Sequence, residues 1–179
     1  MKLLHSAFTF FEIMVVLILI GVVTTIFAPR LIRRPLKTEW HTITDDFNTM
    51  ALFARQEAII HKKVYRLAFK SNPNAQDLVW IEEENDDPEK PKRKIYTAIS
   101  SYYFNTRYQL ADQVKLKAVR SGKRDLLSDE HGVAYCSIKQ DGLIDDITVQ
   151  LVRKIDSIET AATLKMNPFL GRFELQEGE

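Results

Sequence analysis

One cysteine among 179 residues rules out an internal disulfide, so the fold must rest on packing. That residue, Cys136, sits in an alternating segment and reads as a buried small hydrophobe, not a reactive thiol. Proline and glycine number six each, too few for a fibrous or low-complexity chain. Neither sign of charge dominates: 25 Lys and Arg face 24 Asp and Glu, which gives no electrostatic reason to expect a nucleic-acid partner. The histidines, His5, His41, His61 and His131, are scattered. No His-x-x-x-His or Cys-x-x-Cys spacing suggests zinc, and no Gly-x-Ser-x-Gly or phosphate-cradling glycine loop is present. Asp129-Glu130-His131 is a compact polar trio, but adjacent residues rarely converge on one ion, so it reads as a solvated loop. Asp141, Asp145 and Asp146 could in principle collect calcium through oxygens. Their spacing matches no known loop, and a hairpin turn already accounts for Asp141-Gly142. No metal, no cofactor and no enzymatic activity are expected, because no convergent constellation exists to carry one.

What the chain does have is an apolar run from Phe8 to Ala28, broken by one carboxylate, Glu12. At about 1.5 Å per residue the run makes a helix of roughly 31 Å, enough to span a bilayer core. An acidic side chain in hydrocarbon costs at least ~2.5–3.5 kcal/mol unless something compensates it. No basic side chain lies within one helical turn of Glu12, so its partner must come from elsewhere. A cleavable secretory signal accounts for Lys2 and the apolar stretch. It does not account for Glu12, for a run longer than the usual ~7–15 residues, or for Thr25-Ile26-Phe27-Ala28 followed by Pro29 where a small-x-small site should be. A generic single-pass anchor accounts for the length and gives no reason for Glu12.

The third reading rests on Ser6-Ala7-Phe8-Thr9-Phe10-Phe11-Glu12-Ile13-Met14-Val15-Val16-Leu17. This segment resembles the N-terminus of type IV pilins and type II secretion pseudopilins: a short polar leader, a cut before Phe, then Thr, and Glu at the fifth mature position. Ala7 stands where that family most often has Gly, and it is small enough to serve. The resemblance implies that a prepilin peptidase cuts between Ala7 and Phe8 and N-methylates Phe8. It implies that Glu12, with Thr9 beside the cut, serves subunit assembly, Glu12 pairing with the new Phe8 amine of a neighbouring subunit. Such a pair is favoured in low dielectric over either ion alone. Pro29 falls where the family often interrupts the helix. Lys2 is the only Lys or Arg before the run, while Arg30, Arg33, Arg34 and Lys37 follow it. The flanking charges alone favour the opposite orientation. The resemblance puts the N-terminus in the cytoplasm, where the peptidase meets it, and the C-terminal part outside the cytoplasmic membrane.

Beyond the run, Pro29 and Pro35 flank Arg30-Leu31-Ile32-Arg33-Arg34, a natural kink or break within the basic connector 30–37. Trp40, Ile43, Phe47, Met50, Ala54 and Ala58 then recur at three- and four-residue steps, predicting an amphipathic helix to about His61 whose stripe packs on a sheet. The period changes to two at Tyr65, Leu67 and Phe69. The turn Ser71–Asn74 and the run Leu78–Ile81 complete a hairpin. Glu82 to Lys94, acidic and then basic, reads as a solvated loop, with a partner-docking surface as the alternative. Tyr96, Tyr102, Tyr103, Phe104 and Tyr108 form an aromatic stretch without a legible period. Strands are predicted at 114–119, 133–138, 146–152, 163–166 and 172–175, with Asp141-Gly142 as the hairpin turn between the second and third.

Three segments carry a narrower resemblance: Ala54-Arg55-Gln56-Glu57-Ala58-Ile59 at a helix end, Ile138-Lys139-Gln140-Asp141-Gly142 before a strand, and Asn167-Pro168-Phe169-Leu170-Gly171-Arg172-Phe173 before the last strand. They are similar to the type II secretion minor pseudopilin H and FimT-like group, although Lys139-Gln140 departs from its usual pattern. The resemblance implies an α+β, pilin-like fold: a long N-terminal helix, half transmembrane and half amphipathic, packed on an antiparallel sheet. The organisation is then a leader (1–7), a transmembrane half-helix (8–29), the connector (30–37) and a globular domain (38–179). The implied work is assembly of a secretion pseudopilus that contributes to protein export. The implied partners are other pseudopilins or pilins, prepilin peptidase, the secretion or pilus assembly platform and membrane lipid. A minor pilin of a type IV pilus or competence system is the near alternative, and a single-pass membrane-anchored binding module the distant one.

Overall fold

A computed structural model of the chain describes residues 10–32, 36–90, 93–128, 132–155 and 158–176, without the side chains of 24–38. The chain divides into two units, Met1–Glu39 and Trp40–Glu179.

In the first unit, helix α1 runs Phe10–Ile32. Its side chains from Phe10 to Val23 are apolar but for Glu12, and all of them are exposed, whichever way they point. Pro29 lies inside α1, and the helix continues past it to Ile32. A proline removes one backbone hydrogen bond without forcing the last turn to unwind. The expected single long N-terminal helix is described as two, α1 and a second helix, α2 (Leu36–His61), with residues 33–35 outside the described residues. Among the described residues no helix is long and apolar enough to cross a membrane.

In the second unit, the predicted stripe of α2 is buried: Trp40, Ile43, Phe47, Met50, Ala54 and Ala58, joined by Ala51. The alanines at 51, 54 and 58 are completely buried in that face. The helix ends where Lys62 takes φ 53°, the left-handed conformation that commonly stops a helix. Ten strands follow, β1 (Tyr65–Lys70), β2 (Leu78–Asp86), β3 (Lys94–Ala98), β4 (Arg107–Gln109), β5 (Val114–Ser121), β6 (Arg124–Asp125), β7 (Val133–Ile138), β8 (Thr148–Ile155), β9 (Ile158–Asn167) and β10 (Arg172–Gln176).

They form two antiparallel sheets, not the single one expected. One has the order β3-β2-β1-β7, with β4 also paired to β2; the other has the order β10-β9-β8-β5-β6. Phe47 of α2 joins them. Its ring meets Phe69 and Tyr108 of the first sheet and Phe173 of the second edge-on, at centroid distances of 5.9, 5.9 and 5.8 Å. A second tie is the fully buried carboxylate of Asp77, which sequence patterning did not single out. It accepts hydrogen bonds from the Asn72 amide (2.7 Å) in the turn of the first hairpin and from the Leu116 amide (2.6 Å) in β5. Two backbone donors, with the Lys115 ammonium 3.8 Å away, satisfy a carboxylate that would otherwise be too costly to bury.

Two expectations are corrected here. Glu82–Lys94 is not a loop throughout. β2 continues to Asp86 and β3 begins at Lys94, so only the tip between them turns. Two of the charges face a cation across the strand, Asp86 opposite Lys94 and Glu82 opposite Arg66 of β1, and Glu83 pairs with Lys63. Asp141-Gly142 is not a hairpin turn between β7 and β8 either. β7 pairs with β1 and β8 pairs with β5 and β9, in different sheets. The turn closes only the bridge Ile138–Ile144, after which the chain crosses from one sheet to the other.

Candidate functional site

The assembly residues implied by the sequence fall at the N-terminus. Ala7, Phe8 and Thr9 lie outside the described residues. Glu12 stands in the first turn of α1, where a carboxylate is favoured by the partial positive charge of the helix end. Around it Phe10 is 85% and Phe11 73% exposed, with large apolar side chains continuing on every face to Val23. A helix apolar all round needs apolar surroundings.

The three segments that carry the narrower resemblance are far apart in sequence, and the fold brings them to one place around Arg55 of α2. The Arg55 Nη1 donates to the Leu170 carbonyl at 3.0 Å. A Cβ at Gly171 would stand 2.6 Å from the same nitrogen, and a Cβ at Gly142 would stand 2.7 Å from Ile59 Cδ1 and 3.2 Å from Arg55 Nε. Both glycines have positive φ, 68° and 81°, so each turn needs glycine for its backbone as well as for space. Asn167 shapes one turn, its side-chain oxygen accepting from the amides of Phe169 (3.2 Å) and Leu170 (3.1 Å). Asp141 shapes the other, accepting from the Leu143 amide at 2.9 Å, and Asp145 accepts from the Ser137 amide at 3.2 Å. Those carboxylates serve the backbone. Next to this junction, the Asn48 side-chain amide donates to the Phe173 carbonyl (3.2 Å) and accepts from its amide, fastening β10 to α2 as a neighbouring strand would. Arg55 is thus the residue that patterning missed. Its only sequence signal was its place in one motif, with no sign that the other two would close over it.

On the outer face of the first sheet, the Arg66 Nε donates to Glu82 Oε2 at 2.6 Å, and its guanidinium lies between the rings of Tyr96 (3.7 Å) and Tyr135 (3.8 Å). Trp80 Nε1 donates to the other Glu82 oxygen at 2.8 Å. Cys136 is fully buried, and burial pushes its thiol well above the ordinary range, which makes it inert as a nucleophile. The sequence reading of Cys136 as a small hydrophobe holds.

On the inner face, Tyr65 is buried at the C-terminal end of α2. Burial first, then the charges of Glu83 and Glu57, push its phenol from the usual 10 up to about 12. Unfolded, Tyr65 loses its proton near pH 10; folded, it keeps it to about 12. Between those values the unfolded chain binds fewer protons, so stability falls as pH rises through that window. Tyr65→Phe is expected to flatten this alkaline fall, read as Tm against pH for wild type and variant. Parallel slopes would show that Tyr65 is not responsible.

Among the described residues no group of three or more His, Cys, Asp or Glu is placed to hold a metal ion. Asp129, Glu130 and His131 lie outside them.

An amphipathic helix seated on two antiparallel sheets, with its C-terminal end locked by two glycine turns, defines an α+β fold. Comparison with solved structures names the protein whose fold it shares. The minor pseudopilin EpsH from the Type 2 Secretion System of Vibrio cholerae superposes with a TM-score of 0.54 at 11% identity, over 78% of this chain and 96% of that one. Another crystal structure of EpsH aligns over 76% of this chain and 98% of that one at 13% identity, with a TM-score of 0.49. No protein-family model and no curated protein matches the sequence.

Proposed function

We propose that the chain is a minor pseudopilin-like structural subunit of a type II secretion pseudopilus and contributes to protein export. In this reading it enters the cytoplasmic membrane as a precursor through the apolar run beginning at Phe8, N-terminus in the cytoplasm and globular part outside. A prepilin peptidase cuts between Ala7 and Phe8 and methylates the new amine. The processed subunit then joins other pseudopilins at the secretion assembly platform, its apolar helix packed among theirs. Its role is structural, not catalytic.

The observation that carries this reading is one combination in one chain. A globular part with the EpsH fold follows an α1 that is apolar on every exposed face except for Glu12 in its first turn. The fold likeness supports the class, and the apolar helix suits assembly in this reading. Intact-mass measurement of the full-length protein, made with and without a prepilin peptidase, tests it. The expected result is loss of residues 1–7 plus one methyl group only when the peptidase is present. An unprocessed Met1 start in both preparations would remove the pseudopilin reading.

A further inference from the structure

The C-terminal end of α2 carries chemistry that the assembly reading does not use. There the helix and the loop after β3 enclose a cleft of about 620 Å³, with Phe53, Glu57 and His61 on the helix side and Tyr65 and Glu83 among its lining residues. The loop is pinned from within, because Phe104 stacks on Phe53 at a centroid distance of 4.5 Å with the rings 11° from parallel. The same loop holds the next two side chains out. Tyr102 and Tyr103 are 96% and 95% exposed, their rings edge-on to each other at 5.3 Å. Exposed tyrosines on an anchored loop offer large amphipathic contact area at little cost in conformational entropy.

The cleft also has a sign. Two carboxylates, Glu57 and Glu83, are among its lining residues; Glu57 contacts His61 at 3.2 Å, and Glu83 pairs with Lys63, which is outside the lining. Both carboxylates face the Tyr65 phenol, and after burial itself they are what pushes it up. An apolar segment seated here would desolvate Glu57 and Glu83 with nothing in return, and an acidic one would be repelled. A guanidinium or ammonium fits both features, since it is attracted to carboxylates and to the faces of aromatic rings.

We propose that this cleft docks an arginine- or lysine-bearing segment of a partner protein, with the cationic side chain between the Tyr102–Tyr103 pair and the Glu57 and Glu83 carboxylates. The proposal concerns the folded globular part and holds whether or not the chain enters a filament.

The test uses full-length protein in a zwitterionic detergent and a short peptide of alternating arginine and glycine carrying a neutral dye, with binding read by fluorescence anisotropy. A citrulline peptide keeps the shape and removes the charge. The arginine peptide is expected to bind, and the citrulline and glutamate peptides are expected not to. Glu57→Gln and Tyr102→Ser should each weaken binding about tenfold, the loss expected of a contact at the centre of an interface. Asp86→Asn, on the charged hairpin and outside the cleft, should leave binding unchanged, and thermal unfolding should show Tyr102→Ser as stable as wild type. No binding of the arginine peptide, equal binding of the citrulline peptide, or variants without effect would overturn the proposal. So would Glu57-dependent self-association that excludes the peptide, which would assign the cleft to a second copy of the chain.

Discussion

Glu12→Ala is expected to leave cleavage between Ala7 and Phe8 intact and to remove the processed chain from the pseudopilus. The two outcomes separate because they draw on different residues. In the proposed reading the peptidase acts at the leader junction, whereas Glu12 acts after the cut, on the Phe8 amine of a neighbour. In a packed bundle of apolar helices an ammonium without its carboxylate costs about 3–5 kcal/mol, the cost of breaking a buried pair by removing one member. Even the lower figure lowers incorporation by roughly 100-fold. Glu12→Gln, which keeps the hydrogen-bonding shape without the charge, should fall between the two. The measurement is the fraction of processed chain recovered with sheared filaments against the fraction left in the membrane. Wild-type recovery of Glu12→Ala would show that the carboxylate does not direct assembly.

Glu82→Ala is expected to destabilise the globular part by about 3 kcal/mol, because it strands two donors at once. The Arg66 guanidinium loses its charge partner between the Tyr96 and Tyr135 rings, and the Trp80 indole N–H loses its acceptor. For a unit of this size that corresponds to a fall in Tm of roughly 10 °C. Glu89→Ala, at the exposed tip of the same hairpin, should stay within about 0.5 kcal/mol of wild type, as surface changes usually do. The pair of variants separates the paired strand from the solvated loop that charge alone suggests. If both variants unfold at the wild-type temperature, Glu82 is not buried against Arg66.

That hairpin also shows why part of the fold was hard to read. Val79 and Ile81 already alternate with Trp80 and Glu82, so the period of two reaches into the acidic run. Composition concealed it, because consecutive carboxylates are costly in a strand unless cations stand opposite. Arg66 and Lys94 supply them from segments 16 and 8 residues away, and only pairing reveals that. The Arg55 junction was legible as three separate motifs and illegible as one structure. Arg55 lies 115 residues from the Leu170 carbonyl that it holds, and no local pattern encodes such a distance. The aromatic stretch had no period because its members do unrelated things. Tyr96 covers Arg66, Phe104 anchors a loop, Tyr108 packs on Phe47, and Tyr102 and Tyr103 face outward.

Sequence by itself determined whatever depends on near neighbours. The 3.6-residue stripe from Trp40 to Ala58 forms a buried helix face, and the alternations at 65–70, 114–119, 133–138 and 172–175 form strands, because burial on one side of an element repeats with that element's own period. It also showed Glu12 as the one carboxylate in the apolar run from Phe8 to Ala28. Tertiary structure alone decided which strands share a sheet. It sent β7 to β1 and β8 to β5 and β9, placed Phe47 where both sheets meet, buried Asp77 between two backbone donors, and closed two glycine turns over Arg55. The physical reason is that strand pairing and core contacts are chosen among distant segments with similar local patterns. The choice falls to whichever arrangement buries apolar area while leaving each buried polar group a partner.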